Sequence, residues 1–270
     1  VPIERLPYFA EQLAATLASV EQLVLVGATP PVAFFAYPGK PSWCSPEGCT
    51  ITHLAHPHED GVAALLAVAD LIGAPAAGVA VAALDVADCV SGRWDQFGIG
   101  RSIARHLPEG AIISDEAATS ALGPAAALAT AAPHDVLSLT GGSIGQGLPL
   151  ANGAAVACPD RKVVCLHGDG GAMYTVQALW TQAREQLDVT TVIFANRSYA
   201  ILNIELMRVG AAAGPGALSM LDIGNPTLDW VALATGMGVE AVRVETLEAF
   251  DDAFAAAMRS HGPRLIEAVL

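Results

Sequence analysis

Beyond residue 110, six short apolar runs recur: AIISD (111–115), VLSL (136–139), KVVCLHGD (162–169), TTVIFAN (190–196), VEAVRVE (239–245) and RLIEAVL (264–270). Helical patterns separate them. Runs this continuous in Val, Ile and Leu suit strands buried on both faces, and strands that alternate with helices build a parallel sheet. The pattern predicts a doubly wound α/β domain. In such sheets ligands bind beyond the carboxyl ends of the strands, so the chemistry is to be sought where these runs stop.

Ahead of them the signals are sparser. YFAEQLAATLASV (8–20) reads as an amphipathic helix, QLVLVG (22–27) as a buried strand, and HPHEDGVAALLAVADLIG (56–73) as a helix ending at Gly73. Pro57 is expected to open that last helix, with Glu59 and Asp60 in its first turn. This is about half of a small α/β layer. The small residues of GAPAAGVAVAAL (73–84) show little periodicity, and RWDQFGIGRSIARHL (93–107) begins a new helical pattern. The predicted organisation is therefore part of a smaller α/β domain over 1–75, a connection over 76–90 and the parallel-sheet domain over 91–270. The chain begins at Val1 with neither a methionine nor a signal-peptide pattern, and is expected to be a piece of something longer.

Composition narrows the partners. With 53% hydrophobic and 15% charged residues, 270 residues can bury one large core or two modest ones. The longest stretch without charged residues, Val136 to Pro159, is rich in glycine and polar residues, so no membrane crossing is expected. Five cysteines at unrelated spacings do not make a disulfide framework, and a reducing, cytoplasmic setting is the default. A net charge of -14 supplies no basic stripe for nucleic acid. If a phosphate compound binds, something other than Lys and Arg must neutralise it.

One candidate for that task stands at the end of KVVCLHGD. Asp169 lies among glycines where this strand gives way to a helix, about Tyr174 to Gln186, that crosses over to the strand ending at Asn196. A β-α-β unit brings the ends of its parallel strands to one edge, so a carboxylate and a carboxamide fall side by side. Two hard oxygen ligands near a backbone carbonyl suit Mg²⁺, which completes its shell with substrate phosphates and water. Gly170 and Gly171 keep the turn free of side chains, so N–H groups at the helix start can approach an anion.

The GDG at 168–170, followed after 25 residues by Asn196, resembles the cofactor motif of thiamine-diphosphate-dependent enzymes. With GGSIGQGLPLANGAAVA (141–157) upstream and MYTVQALWTQA (173–183) inside it, the chain resembles the acetolactate synthase and benzoylformate decarboxylase group. The resemblance implies a thiamine-diphosphate-binding fold over 91–270, preceded by the C-terminal half of the family's middle domain. Position by position, it implies Mg²⁺ held by the side chains of Asp169 and Asn196 and the main-chain carbonyl of Ser198. Gly171 and Ala172 would offer N–H groups to the diphosphate, with Gly168, Gly170 and Tyr199 completing the cofactor-binding positions. The Gly142 carbonyl would accept from the 4'-amino group of the pyrimidine. Ile144 would be the apolar wedge that holds the cofactor in its V conformation, and Glu116 and Thr119 would line the pyrimidine edge. Ile201 and Leu202 would face the substrate.

The implied activity is Mg²⁺-dependent decarboxylation of a 2-oxo acid, with aldehyde release or carboligation, in a homodimer or homotetramer. Two departures qualify it. The first of the family's two consecutive asparagines is Ala195 here. The family's catalytic Glu also belongs to an N-terminal pyrimidine-binding domain that this chain lacks, so the chain alone is expected to be silent. Alternatives are a non-catalytic cofactor-binding or regulatory subunit and a nicotinamide-dependent oxidoreductase. GGSIGQG serves the latter poorly, because its order is not G-x-G-x-x-G. His53, His56, His58 and Glu59 read as an exposed or structural group, His167 as a strand residue facing a neighbouring element, and Cys158 and Cys165 as core thiols.

Overall fold

The computed structural model describes residues 5–75, 81–86 and 92–270, so parts of the predicted 76–90 connection lie outside the described residues. The chain divides into two compact units, Val1–Val81 and Ala82–Leu270.

In the first unit, α1 (Ala10–Leu17) precedes two parallel strands, β1 (Gln22–Val26) and β2 (Thr50–Ala55), and then α2 (Gly61–Leu71). The TITHLA of β2 is not among the predicted strands. A small core joins Leu13 and Leu17 of α1 to Cys44. Helix α2 starts later than expected. The Ala63 N–H donates to Asp60 Oδ1 (2.9 Å), which makes Asp60 the N-cap. Glu59 accepts from the His56 N–H at 2.7 Å, which leaves Pro57 in the preceding turn. Along α2 no residue is buried, although nine of its eleven positions are Val, Ala or Leu.

The second unit is the doubly wound sheet. In chain order it contains α3 (Gln96–His106), β3 (Ala111–Glu116), α4 (Leu122–Leu128), β4 (His134–Ser138), α5 (Gly147–Ala157) and β5 (Val163–Gly168). There follow α6 (Asp169–Ala172), α7 (Ala178–Arg184), β6 (Val189–Ala195), α8 (Ala200–Arg208), α9 (Pro215–Leu221) and α10 (Trp230–Gly236). β7 (Glu240–Val244), α11 (Leu247–Arg259) and β8 (Arg264–Val269) complete it. Strand order is β4-β3-β5-β6-β8-β7, with every pair parallel.

Alternate side chains of each central strand enter different cores. Val163, Cys165, Val189 and Ile193 join Leu148, Leu179 and Trp230 on one face, while Val164, Leu166, Val192 and Phe194 join Ile99, Phe250 and Phe254 on the other. This two-sided burial is why the strands read as unbroken apolar runs.

Two features place the site. From β3 the chain runs outward to β4 and then returns to β5 on the other side of β3, so the winding direction reverses between β3 and β5. A crevice opens at such a switch point. The crossover from β5 to β6 is also less regular than one helix over 174–186. It comprises α6, a 3-10 turn at Met173–Thr175 and then α7. The turn is tied down by the Thr175 hydroxyl, which donates to the Gly145 carbonyl at 2.6 Å.

Candidate active site

The end of β5 delivers Asp169 into a buried position. The Gly170 N–H donates to its Oδ1 at 2.9 Å and the Arg197 N–H to its Oδ2 at 2.7 Å. The second bond ties the loop after β6 directly to the loop after β5. Burial pushes the Asp169 carboxyl up, and these N–H groups recover only part of that shift. A carboxylate held this way favours a cation beside it.

Its neighbour across the strand ends is Asn196, whose Oδ1 accepts from the Ser198 N–H at 3.0 Å. Between them Arg197 adopts a left-handed backbone with φ of 56°. This conformation is uncommon outside glycine, and it turns the Arg197 N–H back toward Asp169. Ser198 forms an isolated antiparallel bridge with Asp222, whose two bonds use the carbonyls of the flanking Arg197 and Leu221. Tyr199 packs over Gly170 so closely that a Cβ there would fall 2.5 Å from the ring.

A second cluster lies at the ends of β3 and β5. Both oxygens of the buried Glu116 are engaged: the Gly145 N–H donates to Oε1 and the Gly147 N–H to Oε2, each at 2.6 Å. Sheet register sets Glu116 opposite His167. The His167 Nε2 sits 3.1 Å from Glu116 Oε2, close enough to pair electrostatically though off line for a hydrogen bond. Burial raises the Glu116 carboxyl, but the imidazole and the two N–H groups outweigh burial and hold it below its ordinary value.

The Gly141–Gly147 segment thus meets Glu116 on one side. Gly141 and Gly142 have φ of 61° and 68°, which only glycine adopts readily. The Gly142 carbonyl accepts from the Ile144 N–H at 2.9 Å, and Ile144 is 57% exposed.

The sequence candidates therefore fall into two groups. The structure brings Gly168, Asp169, Gly170, Asn196, Ser198 and Tyr199 together around the β5 and β6 ends. Glu116 and Gly171 meet around His167, since a Cβ on Gly171 would lie 2.9 Å from the His167 ring and 3.3 Å from Glu116 Oε1. Ala172 is buried in α6, Thr119 is half-buried in a 3-10 turn, and Ile201 with the exposed Leu202 opens α8. The Glu116 carboxylate accepts from two N–H groups of the glycine loop. Sequence reasoning missed this partnership with His167 and the bridging N–H of Arg197. The first was within reach, since adjacent parallel strands ending together would align their last residues; the second depends on a backbone angle that no residue type announces.

Asp169 and Asn196 offer the hard oxygen donors that Mg²⁺ prefers, and their own hydrogen bonds leave further lone pairs on those atoms. The donor set fits that ion. The His53, His56 and His58 rings stack on one another at exposed positions, and among the described residues no group of three or more His, Cys, Asp or Glu is placed to hold a metal. Among the described residues, too, no helix is long and apolar enough to cross a membrane.

Comparison with known proteins gives concordant matches. The profile described as "Thiamine pyrophosphate enzyme, C-terminal TPP binding domain" matches residues 118–268. The Mycobacterium tuberculosis protein IlvX, named provisionally as an acetolactate synthase large subunit, is 51% identical over 99% of this chain and 52% of its own length. The benzoylformate decarboxylase of Pseudomonas aeruginosa is 37% identical over 47% of this chain and 23% of its own length. Among solved structures, a thiamine diphosphate-dependent 4-hydroxybenzoylformate decarboxylase from Rhodococcus jostii RHA1 superposes with a TM-score of 0.79 at 27% identity. That match covers 98% of this chain and 51% of the other. The chain thus spans about half the length of the M. tuberculosis protein and of the R. jostii structure.

Proposed function

Since the chain belongs to the thiamine pyrophosphate enzyme family, matched over that family's C-terminal cofactor-binding domain, we propose that it supplies the Mg²⁺- and diphosphate-binding half of a 2-oxo acid decarboxylase or acetolactate synthase-like carboligase. The observation that carries this reading is the joining of the β5 and β6 ends through the Arg197 N–H and Asp169, which sets Asp169 and Asn196 at one edge. Those two side chains and the Ser198 carbonyl would hold Mg²⁺, and the N–H groups of Gly171 and Ala172 would meet the diphosphate. Gly168, Gly170 and Tyr199 would close around it.

When bound, thiamine diphosphate would supply the carbon nucleophile for chemistry at a 2-oxo group. The protein's part would be positional: the Gly142 carbonyl would accept from the pyrimidine amino group, Ile144 would support the cofactor from its apolar side, Thr119 would border the pyrimidine, and Ile201 and Leu202 would shape the substrate side. Residues 1–75 would be the C-terminal half of the middle domain, 76–90 a linker and 91–270 the binding domain. The partner that completes the pocket would be an N-terminal pyrimidine-binding domain carrying the catalytic Glu, in a cytoplasmic homodimer or homotetramer. The four free cysteines among the described residues suit that compartment.

Calorimetric titration tests the reading. The chain should bind thiamine diphosphate only with Mg²⁺ present, and Asp169→Ala should weaken binding more than Asn196→Ala, because a charged ligand is lost in place of a neutral one. A folded wild-type chain that binds no thiamine diphosphate, or an Asp169→Ala variant that binds it as wild type does, would overturn the assignment.

A further inference from the structure

The Glu116–His167 pair is built too elaborately for a simple pocket wall. Two short bonds from backbone N–H groups reach a buried carboxylate, and charge-assisted bonds of this kind are roughly twice as strong as neutral ones. Both end on the same loop, at Gly145 and Gly147. That loop carries positive φ angles at Gly141, Gly142 and Gly145. Glycines give such a segment wide conformational freedom, so it needs an external brace to hold one shape.

His167 stiffens the brace. Its Nδ1 lies 3.0 Å from the Gly168 carbonyl, which fixes the ring. The ring fills the space in which a Cβ on Gly147 would lie 2.8 Å away and one on Gly171 2.9 Å away. The metal loop is held separately, by bonds among Asp169, Gly170, Arg197, Asn196 and Ser198. None of the Glu116 bonds reaches it.

We propose that Glu116 and His167 are positioning residues that lock the Gly141–Gly147 loop, and with it the Gly142 carbonyl and Ile144, independently of the metal loop. The inference rests on the functional reading above, in that Gly142 and Ile144 serve the pyrimidine and thiazolium end of the cofactor while Asp169 and Asn196 serve the diphosphate end. It withdraws Glu116 from direct cofactor contact. Glu116→Gln keeps the shape of the side chain but presents an NH₂ group to one of the two N–H donors, so one bond is lost and the loop is released.

The test compares two probes, thiamine diphosphate and inorganic pyrophosphate, each titrated with Mg²⁺ into wild type, Glu116→Gln and His167→Phe. Glu116→Gln should weaken thiamine diphosphate binding about tenfold, the scale of one lost hydrogen bond to a charged group, and leave pyrophosphate binding unchanged. His167→Phe keeps ring volume without the ring nitrogens and should act in the same direction with a smaller effect. Amide exchange on the ligand-free chain should quicken at residues 141–147 and stay as in wild type at 196–199. Equal weakening of both probes, or unchanged exchange at 141–147, would overturn the positioning role. A wild-type chain that binds neither probe would instead overturn the functional reading, and the exchange measurement would still decide whether the pair braces the loop.

Discussion

In the Ala82–Leu270 unit, side chains such as Phe254 and Trp230 are sealed between sheet and helix, whereas in the Val1–Val81 unit Leu66 and Leu71 of α2 stand 62% and 86% exposed. The residues are alike in character. What differs is the sheet beneath them: six parallel strands form two faces broad enough for helices to cover, and two strands do not. Hydrophobicity in a sequence thus measures a demand for burial rather than burial achieved. The AALLAVA of α2 has the composition of a core helix without a core.

Breaking the comparison at its strongest point means emptying a sealed site. Phe254 stacks on Phe250 with ring centroids 5.7 Å apart. Phe254→Ala should cost about 3 to 5 kcal/mol, the usual range for deleting a buried aromatic ring. Urea unfolding followed by tryptophan fluorescence would measure it, and a loss under about 1 kcal/mol would contradict the burial described for this face.

A smaller effect depends on pH. The three buried carboxylates among the described residues, Glu116, Asp169 and Glu267, all belong to the larger unit, so acid should act there first. Glu116 is held below its ordinary value, so its contribution is complete above the ordinary Glu range, about 4.3, and is lost as pH falls through its depressed native value. Asp169 is shifted the other way: it disfavours the fold at higher pH and ceases to do so when protonated. Glu116→Gln should therefore flatten the acid limb of a stability-against-pH curve. An acid limb as steep as wild type's would remove Glu116 from it.

The smallest expected effect sharpens the contrast. Leu66→Ser on α2 should change stability by no more than about 0.5 kcal/mol, as exposed substitutions usually do. A loss on the scale of Phe254→Ala would show that this face is covered in solution.

The same contrast governs how much could be read from the sequence. The central strands of the larger unit, β3, β5, β6 and β8, were legible because burial on both faces leaves uninterrupted apolar runs. Strand β2 was not: TITHLA is largely exposed apart from Ala55, so it carries neither a continuous run nor a clean alternation. Pro57 gave a helix-start signal that Asp60 took over, because a side-chain cap settles a helix start more firmly than a fixed φ. Asp169 and Asn196 were legible as partners because spacing across one β-α-β unit fixes their adjacency. The bonds from Gly145 and Gly147 to Glu116 were not, since they join a strand end to a loop some 30 residues on that no spacing rule pairs with it.

The reversal of winding between β3 and β5 has a consequence for how the chain assembles itself. Glu116, the Gly141–Gly147 loop, Asp169 and Asn196 meet only after β5 has returned past β4 to pair with β3. Closing so wide a loop adds little to the equilibrium cost, since each doubling of loop length costs only about 0.6 kcal/mol. Its cost falls on speed, because distant pairings must be found before any of their contacts stabilise the chain. A site dispersed over some 80 residues is therefore inexpensive to keep but slow to make. Its ligand can reward folding only at the last closure, when the strand ends already stand together.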